Sequence, residues 1–205
     1  MVQKKYREAI EAYREGPASS AVIQNKIGIG YHQLAQLETA RRCYQQAIKL
    51  DPGYAEALNN MGTIYYAQKS YRRAISSYDK ALKVSPNSAA MLSNLGTAYF
   101  ARKKYKEAFE AYQKALTLDA NVFEQRNTFG VLLEDRSVEE RAKYHYYLAK
   151  TYAKAGMDDR ALQYLRKAIE EGFKERRKLE EDPEFTRVRA LPEFQELLKL
   201  EPRVL

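Results

Sequence analysis

Four glycines, Gly28, Gly62, Gly96 and Gly130, stand 34 residues apart in succession. With only 9 glycines in 205 residues, that spacing marks an internal repeat, and a fixed period of this length constrains the whole fold. The rest of the unit keeps the same step. An aliphatic residue precedes each of the first three glycines (Ile27, Met61, Leu95), and a tyrosine follows three places later (Tyr31, Tyr65, Tyr99). Further on come Ala40, Ala74 and Ala108, then Tyr44, Tyr78 and Tyr112, then Ala47, Ala81 and Ala115. Asp51-Pro52 and Ser85-Pro86 close two units, and Asp119-Ala120 closes the third without the proline. A proline there ends a helix, because it supplies no N–H.

Composition matters where it removes classes. Hydrophobic residues at 45% and charged residues at 30% describe a globular chain. No apolar run approaches the roughly 18 residues that span a bilayer. The single cysteine, Cys43, allows no internal disulfide, and the first residues lack the apolar stretch of a secretory signal, so a reducing, cytoplasmic setting is expected. Tyrosine is in excess, 17 against 7 Phe and no Trp. Most of that excess falls on repeat positions, including Tyr71 and Tyr105, where the ring is expected to pack between helices with its hydroxyl at an edge.

The pattern of aliphatic, Gly, Tyr, Ala, aromatic, Ala and Pro resembles the tetratricopeptide repeat. The resemblance implies an all-α, right-handed superhelical solenoid in which each unit is a pair of antiparallel helices. Residues 21–54, 55–88 and 89–122 read as three full units. In 1–20, Tyr6, Ala9 and Tyr13 reproduce the spacing of a second helix with no first helix before it; the expectation is a fragment of a longer repeat protein, the alternative a lone capping helix. A fourth, irregular unit starts at 123–141 with Phe129-Gly130, Glu139 standing in an aromatic slot and Ser137 capping a helix through Glu140. Tyr146 and Ala149 then resume second-helix spacing, while Leu148-Ala149, Tyr152 and Gly156 open a fifth unit over 142–175. One helix near 138–155 thus serves two units, an ordinary inserted helix being the alternative. Residues 176–205 are expected to form capping helices, started by Asp182-Pro183 and Leu191-Pro192.

In this family the first helices line a concave groove that binds peptides, and the resemblance implies the same here. The fifth and sixth places are Asn25-Lys26, Asn59-Asn60, Ser93-Asn94 and Asn127-Thr128, and the twelfth places are His32, Tyr66, Phe100 and Glu134. Amides repeated along a groove pair with the N–H and C=O of a bound chain, and aromatic neighbours add contact area. The expected binding residues are therefore Asn25, His32, Asn59, Asn60, Tyr66, Asn94, Phe100 and Asn127. Asn at the sixth place is also common family background.

The expected partner is a protein or peptide. Co-chaperones of this family that grip a C-terminal carboxylate use Lys and Arg at the second, fifth or sixth places. Val22, Glu56, Ala90 and Glu124 at the second place and Asn25, Asn59, Ser93 and Asn127 at the fifth form no such clamp. A formal charge of +8 invites nucleic acid or anionic membrane as an alternative, yet Arg72, Arg73, Arg102, Lys103, Lys104 and Lys106 cluster near the starts of second helices and read as a solvated outer edge. Homo-oligomer formation through the N-terminal end is a further alternative. With two histidines, one cysteine and no Gly-rich phosphate loop, neither catalysis, nor a metal, nor a cofactor is expected.

Overall fold

A computed structural model describes residues 2–124 and 137–202. Among these the structure is helical without strands: α1 (Val2–Arg14), α2 (Ala21–Gln33), α3 (Leu37–Leu50), α4 (Ala55–Ala67), α5 (Tyr71–Val84), α6 (Ala89–Ala101), α7 (Tyr105–Leu118), α8 (Val138–Lys154), α9 (Asp158–Glu170), α10 (Arg177–Glu181) and α11 (Pro192–Leu198). Pairs α2/α3, α4/α5, α6/α7 and α8/α9 pack antiparallel, and each helix also meets the next pair, giving a solenoid. Neighbouring first helices touch directly, α2 with α4 and α4 with α6, so they form the tighter, inner layer. That layering follows from the sequence. The second helices α3, α5 and α7 carry one apolar stripe, whereas α4 and α6 bury residues on nearly every side.

The repeated glycine is where each pair closes. A Cβ at Gly62 would lie 2.5 Å from Cε1 of Tyr78, and one at Gly28 or Gly96 would meet Tyr44 or Tyr112 at 2.6 or 2.5 Å. These three tyrosines are fully buried. Their hydroxyls do not reach an edge. Tyr78 donates to Oγ1 of Thr63 at 3.4 Å and Tyr112 to Oγ1 of Thr97 at 3.3 Å. The smallness of glycine lets the ring slide so deep that its polar tip ends beneath the facing helix and needs a partner there.

Within each pair the chain reverses in three residues, the middle one left-handed: Ala35 (φ 58), Lys69 (φ 57) and Lys103 (φ 59), with Gly156 (φ 78) in the α8–α9 turn. The following N–H closes back on the helix, as from Gln36 to the Tyr31 carbonyl at 2.9 Å and from Ser70 to that of Tyr65 at 2.8 Å. Only the last of these turns uses the glycine that the conformation favours. Lys103→Gly therefore removes Cβ strain and raises unfolding stability by about 1 kcal/mol, measured by urea denaturation. A decrease instead would show that the Lys103 side chain supplies stabilising contacts.

α1 packs its Ile10 against α2, and a Cβ at Gly30 would lie 2.6 Å from Cγ1 of Ile10. The rest of its surface is mostly charged or polar and exposed. α8 touches α7 on one side and α9 on the other, its start capped by Ser137, whose hydroxyl accepts from the Glu140 N–H at 3.2 Å. At the C-terminal end Phe173, Leu179, Phe185, Val188, Phe194 and Leu197 join the core of α8 and α9. Arg176 fastens this end by donating to the carbonyl of Leu200 at 2.8 Å.

Candidate functional site

The inner layer carries the asparagines, and they bond to one another. Asn94 donates its amide to Oδ1 of Asn59 at 3.1 Å, and Asn60 donates to Oδ1 of Asn25 at 3.0 Å. Within α4, Asn59 donates to Oδ1 of Asn60 at 3.5 Å, and the row ends where Asn25 donates to the Tyr54 hydroxyl at 3.4 Å. Each inter-repeat bond joins a fifth-place residue to the sixth-place residue of the next unit. Asn25, Asn60 and Asn94 are buried, Asn59 half-buried. The amides thus hold neighbouring repeats in register and satisfy buried polar groups before any ligand arrives. Asn127 lies outside the described residues, as do Thr128 and Glu134.

His32 takes part in the same economy of buried groups. Thr63 and Thr97 accept the tyrosine hydroxyl in the second and third units, but the first has Ile29 at that place. The Tyr44 hydroxyl lies instead 3.4 Å from Nδ1 of His32, with the two rings edge to face at 6.4 Å. Burial holds the His32 pKa below its ordinary 6.5. A histidine whose folded pKa is depressed favours the unfolded state as it protonates, so its contribution is fully present above 6.5 and is lost as pH falls through the folded value. The expected result is a melting temperature that drops between pH 7.5 and 5.5, the drop being smaller in His32→Gln; equal drops would exclude His32 as the titrating group.

Tyr66 is half-buried on the inner layer and leans on Tyr71, ring centroids 5.1 Å apart. Phe100 departs from the expectation. It is only 4% exposed, covered by Tyr144 and Tyr147 of α8 at 5.6 and 5.9 Å and by Tyr105 at 5.3 Å. Helix α8 closes over the third unit, so the Phe100 ring is core and offers no free face. Residues accessible to a ligand narrow to Asn59, Tyr66 and His32. Sequence reasoning missed Tyr54, the end of the amide row, and Thr63 and Thr97 as hydroxyl acceptors. A comparison of places 35 residues apart, not 34, would have exposed the Asn25–Asn60 and Asn59–Asn94 bonds but not Tyr54, which stands 29 residues from Asn25. The contrast of Thr63 and Thr97 with Ile29 would have exposed the hydroxyl acceptors.

The other histidine, His145, places Nδ1 2.8 Å from Oε2 of Glu171, whose other oxygen lies 3.4 Å from Nε of Arg141. This cluster ties α8 to the end of α9. Among the described residues no three His, Cys, Asp or Glu side chains gather to hold a metal ion, and no helix is long and apolar enough to cross a membrane.

Three models of this repeat match the sequence: one described as tetratricopeptide repeat over 60–122, one described as TPR repeat over 30–69, and a second tetratricopeptide repeat model over 144–171. No curated protein matches it. Among solved structures, a crystal structure of MamA has a TM-score of 0.56 at 20% identity, covering 87% of this chain and 94% of its own. Another MamA crystal structure has a TM-score of 0.51 at 23% identity, covering 59% and 68%. The first TPR of Spaghetti (RPAP3), bound to HSP90 peptide SRMEEVD, has a TM-score of 0.50 at 26% identity, covering 55% and 90%. With the glycine–tyrosine closure repeated in three pairs and the repeat models spread along the sequence, the chain belongs to the tetratricopeptide repeat family.

Proposed function

We propose that the chain is a non-catalytic scaffold that holds a peptide segment of a partner protein on its inner layer of first helices. One observation carries the reading: the accessible side chains there, Asn59, Tyr66 and His32, stand on helices whose spacing is fixed by buried Asn–Asn bonds. A preorganised face loses little entropy when it takes up a ligand. The general role of this family as an interaction scaffold supports the same reading, as does the peptide-bound RPAP3 neighbour. The acidic tail in that neighbour's peptide is not proposed as a ligand for this inner layer, since the second places Val22, Glu56 and Ala90 and the fifth places Asn25, Asn59 and Ser93 offer no cation.

The test is to pan a random peptide library on the immobilised protein and titrate the enriched peptides. Tyr66→Ala and Asn59→Ala are expected to weaken them roughly tenfold each, with unchanged circular dichroism. Enriched peptides indifferent to both variants would sink the proposal. End-to-end stacking through the N-terminus is less well supported. Tyr6, Ile10 and Tyr13 are at least half-buried, while Lys4, Lys5, Arg7, Glu8 and Glu11 face outward.

A further inference from the structure

The turns between α4 and α5 and between α6 and α7 border an open cleft of about 640 Å³, lined by Lys69, Ser70, Tyr71, Arg72, Arg73 and Arg102. Four of the six are cations and none is an acid. Lys69, Arg72 and Arg102 make no side-chain hydrogen bond or ion pair among the described residues, whereas nearby acids are engaged, Glu38 by Arg41 and Glu107 by Lys104. Arg73 is held over the Tyr65 ring at 5.9 Å. Helix α5 opens here with no acidic residue in its first turn and no side-chain cap, so its unpaired N–H groups add to the positive field.

Repeat packing does not require these charges. The places of Lys69, Arg72 and Arg73 are held in the first unit by Ala35, Glu38 and Thr39, and the last pair starts α9 with Asp158-Asp159. The basic stretch is therefore short and bounded by acids. A nucleic acid would need cations continuing along its phosphates, and a bilayer would need a flat basic surface, not a recess between turns. The cleft also adjoins the inner layer, because Tyr71 in its wall packs on Tyr66.

We propose that this cleft receives an acidic stretch of the partner polypeptide, a run of aspartate and glutamate side chains flanking the part held on the inner layer. The inference rests on the peptide-binding reading above. Arginine forks suit carboxylates, and several cations with no internal partner give a site that rewards several carboxylates together.

The experiment uses two labelled peptides blocked at both ends, eight glutamates and eight glutamines, titrated by fluorescence anisotropy at about 50 and about 200 mM salt. The glutamate peptide is expected to bind, to weaken with salt, and to lose roughly tenfold in affinity with Arg72→Gln/Arg102→Gln. Lys69→Gln/Arg72→Gln, which alters exposed residues only, guards against a folding artefact and is expected to weaken it as well. The glutamate peptide carries no sequence selected on the inner layer, so its binding reads the cleft alone, while the library peptides read the inner layer; this separates failure of the cleft from failure of the inner layer. Equal binding of the two peptides, or indifference to both double variants, overturns the proposal. So does tighter Arg72-dependent binding of single-stranded RNA or phosphatidylserine vesicles.

Discussion

Tyr78→Ala lowers the unfolding free energy by about 3–5 kcal/mol, the range for removing a large buried aromatic. The ring is fully buried, with Ala74, Leu95 and Ala98 around it, its edge against Gly62 and its hydroxyl on Thr63. Tyr78→Phe separates the hydroxyl from the ring and costs only about 1 kcal/mol, because Thr63 keeps its bond to the Asn59 carbonyl at 3.3 Å. Gly62→Ala destabilises the wild type by about 1–3 kcal/mol through overpacking against the ring. In the Tyr78→Ala background the same change becomes stabilising by up to about 1 kcal/mol, since alanine is the better helix former and the obstacle is gone. Urea titrations of the four proteins in this cycle read the sign directly. If Gly62→Ala destabilised both backgrounds equally, the glycine would not be there for Tyr78.

Lys150→Met costs about 3 kcal/mol, the low end for breaking a buried ion pair. The Lys150 ammonium lies 2.8 Å from Asp182 and 3.2 Å from Glu184, and Tyr146 donates its hydroxyl to the same Asp182 oxygen. Side-chain exposure is 18% for Lys150, 21% for Asp182 and 13% for Glu184, so solvent screens the cluster little. Burial pulls the lysine pKa down, but the two carboxylates outweigh it and hold the value above the ordinary one. Without the lysine, two carboxylates face each other at the joint between α8 and the C-terminal segment. Adding Asp182→Asn and Glu184→Gln should recover most of the loss, because it removes the stranded charges. Limited proteolysis is expected to nick Lys150→Met first beyond Gly172 and to spare the triple variant. Cleavage elsewhere would show that the ion cluster does not hold this segment down.

The solenoid was legible because its period rests on residues chosen for size. Gly62 and Tyr78 must be what they are for two helices to approach, and that demand recurs in each unit. The site was less legible, for two physical reasons. Repeat position says which layer a residue occupies but not what arrives from elsewhere in the chain to cover it; Phe100 holds the same place as His32 and Tyr66, yet α8 buries it. Amide spacing, likewise, shows a row of Asn25, Asn59, Asn60 and Asn94 without showing that donors and acceptors are already spent on one another. Polar residues on an inner face are read as ligand contacts too readily when their own pairing is out of sight.

That pairing has one more consequence. From Asn94 to Asn59, Asn60, Asn25 and finally Tyr54, each amide gives its hydrogen to the next group, so the row runs head to tail. Turning one amide over would set N–H against N–H or oxygen against oxygen, so the row turns as a whole or not at all. The inner face therefore has a sense, like a ratchet or an arrow, and its two ends are chemically unlike. A polypeptide is itself an arrow, because along each edge of an extended strand every residue's N–H comes before its C=O. On the proposed reading, a strand and its reverse would meet His32, Asn59 and Tyr66 in opposite order, and a scaffold of similar units could still tell head from tail.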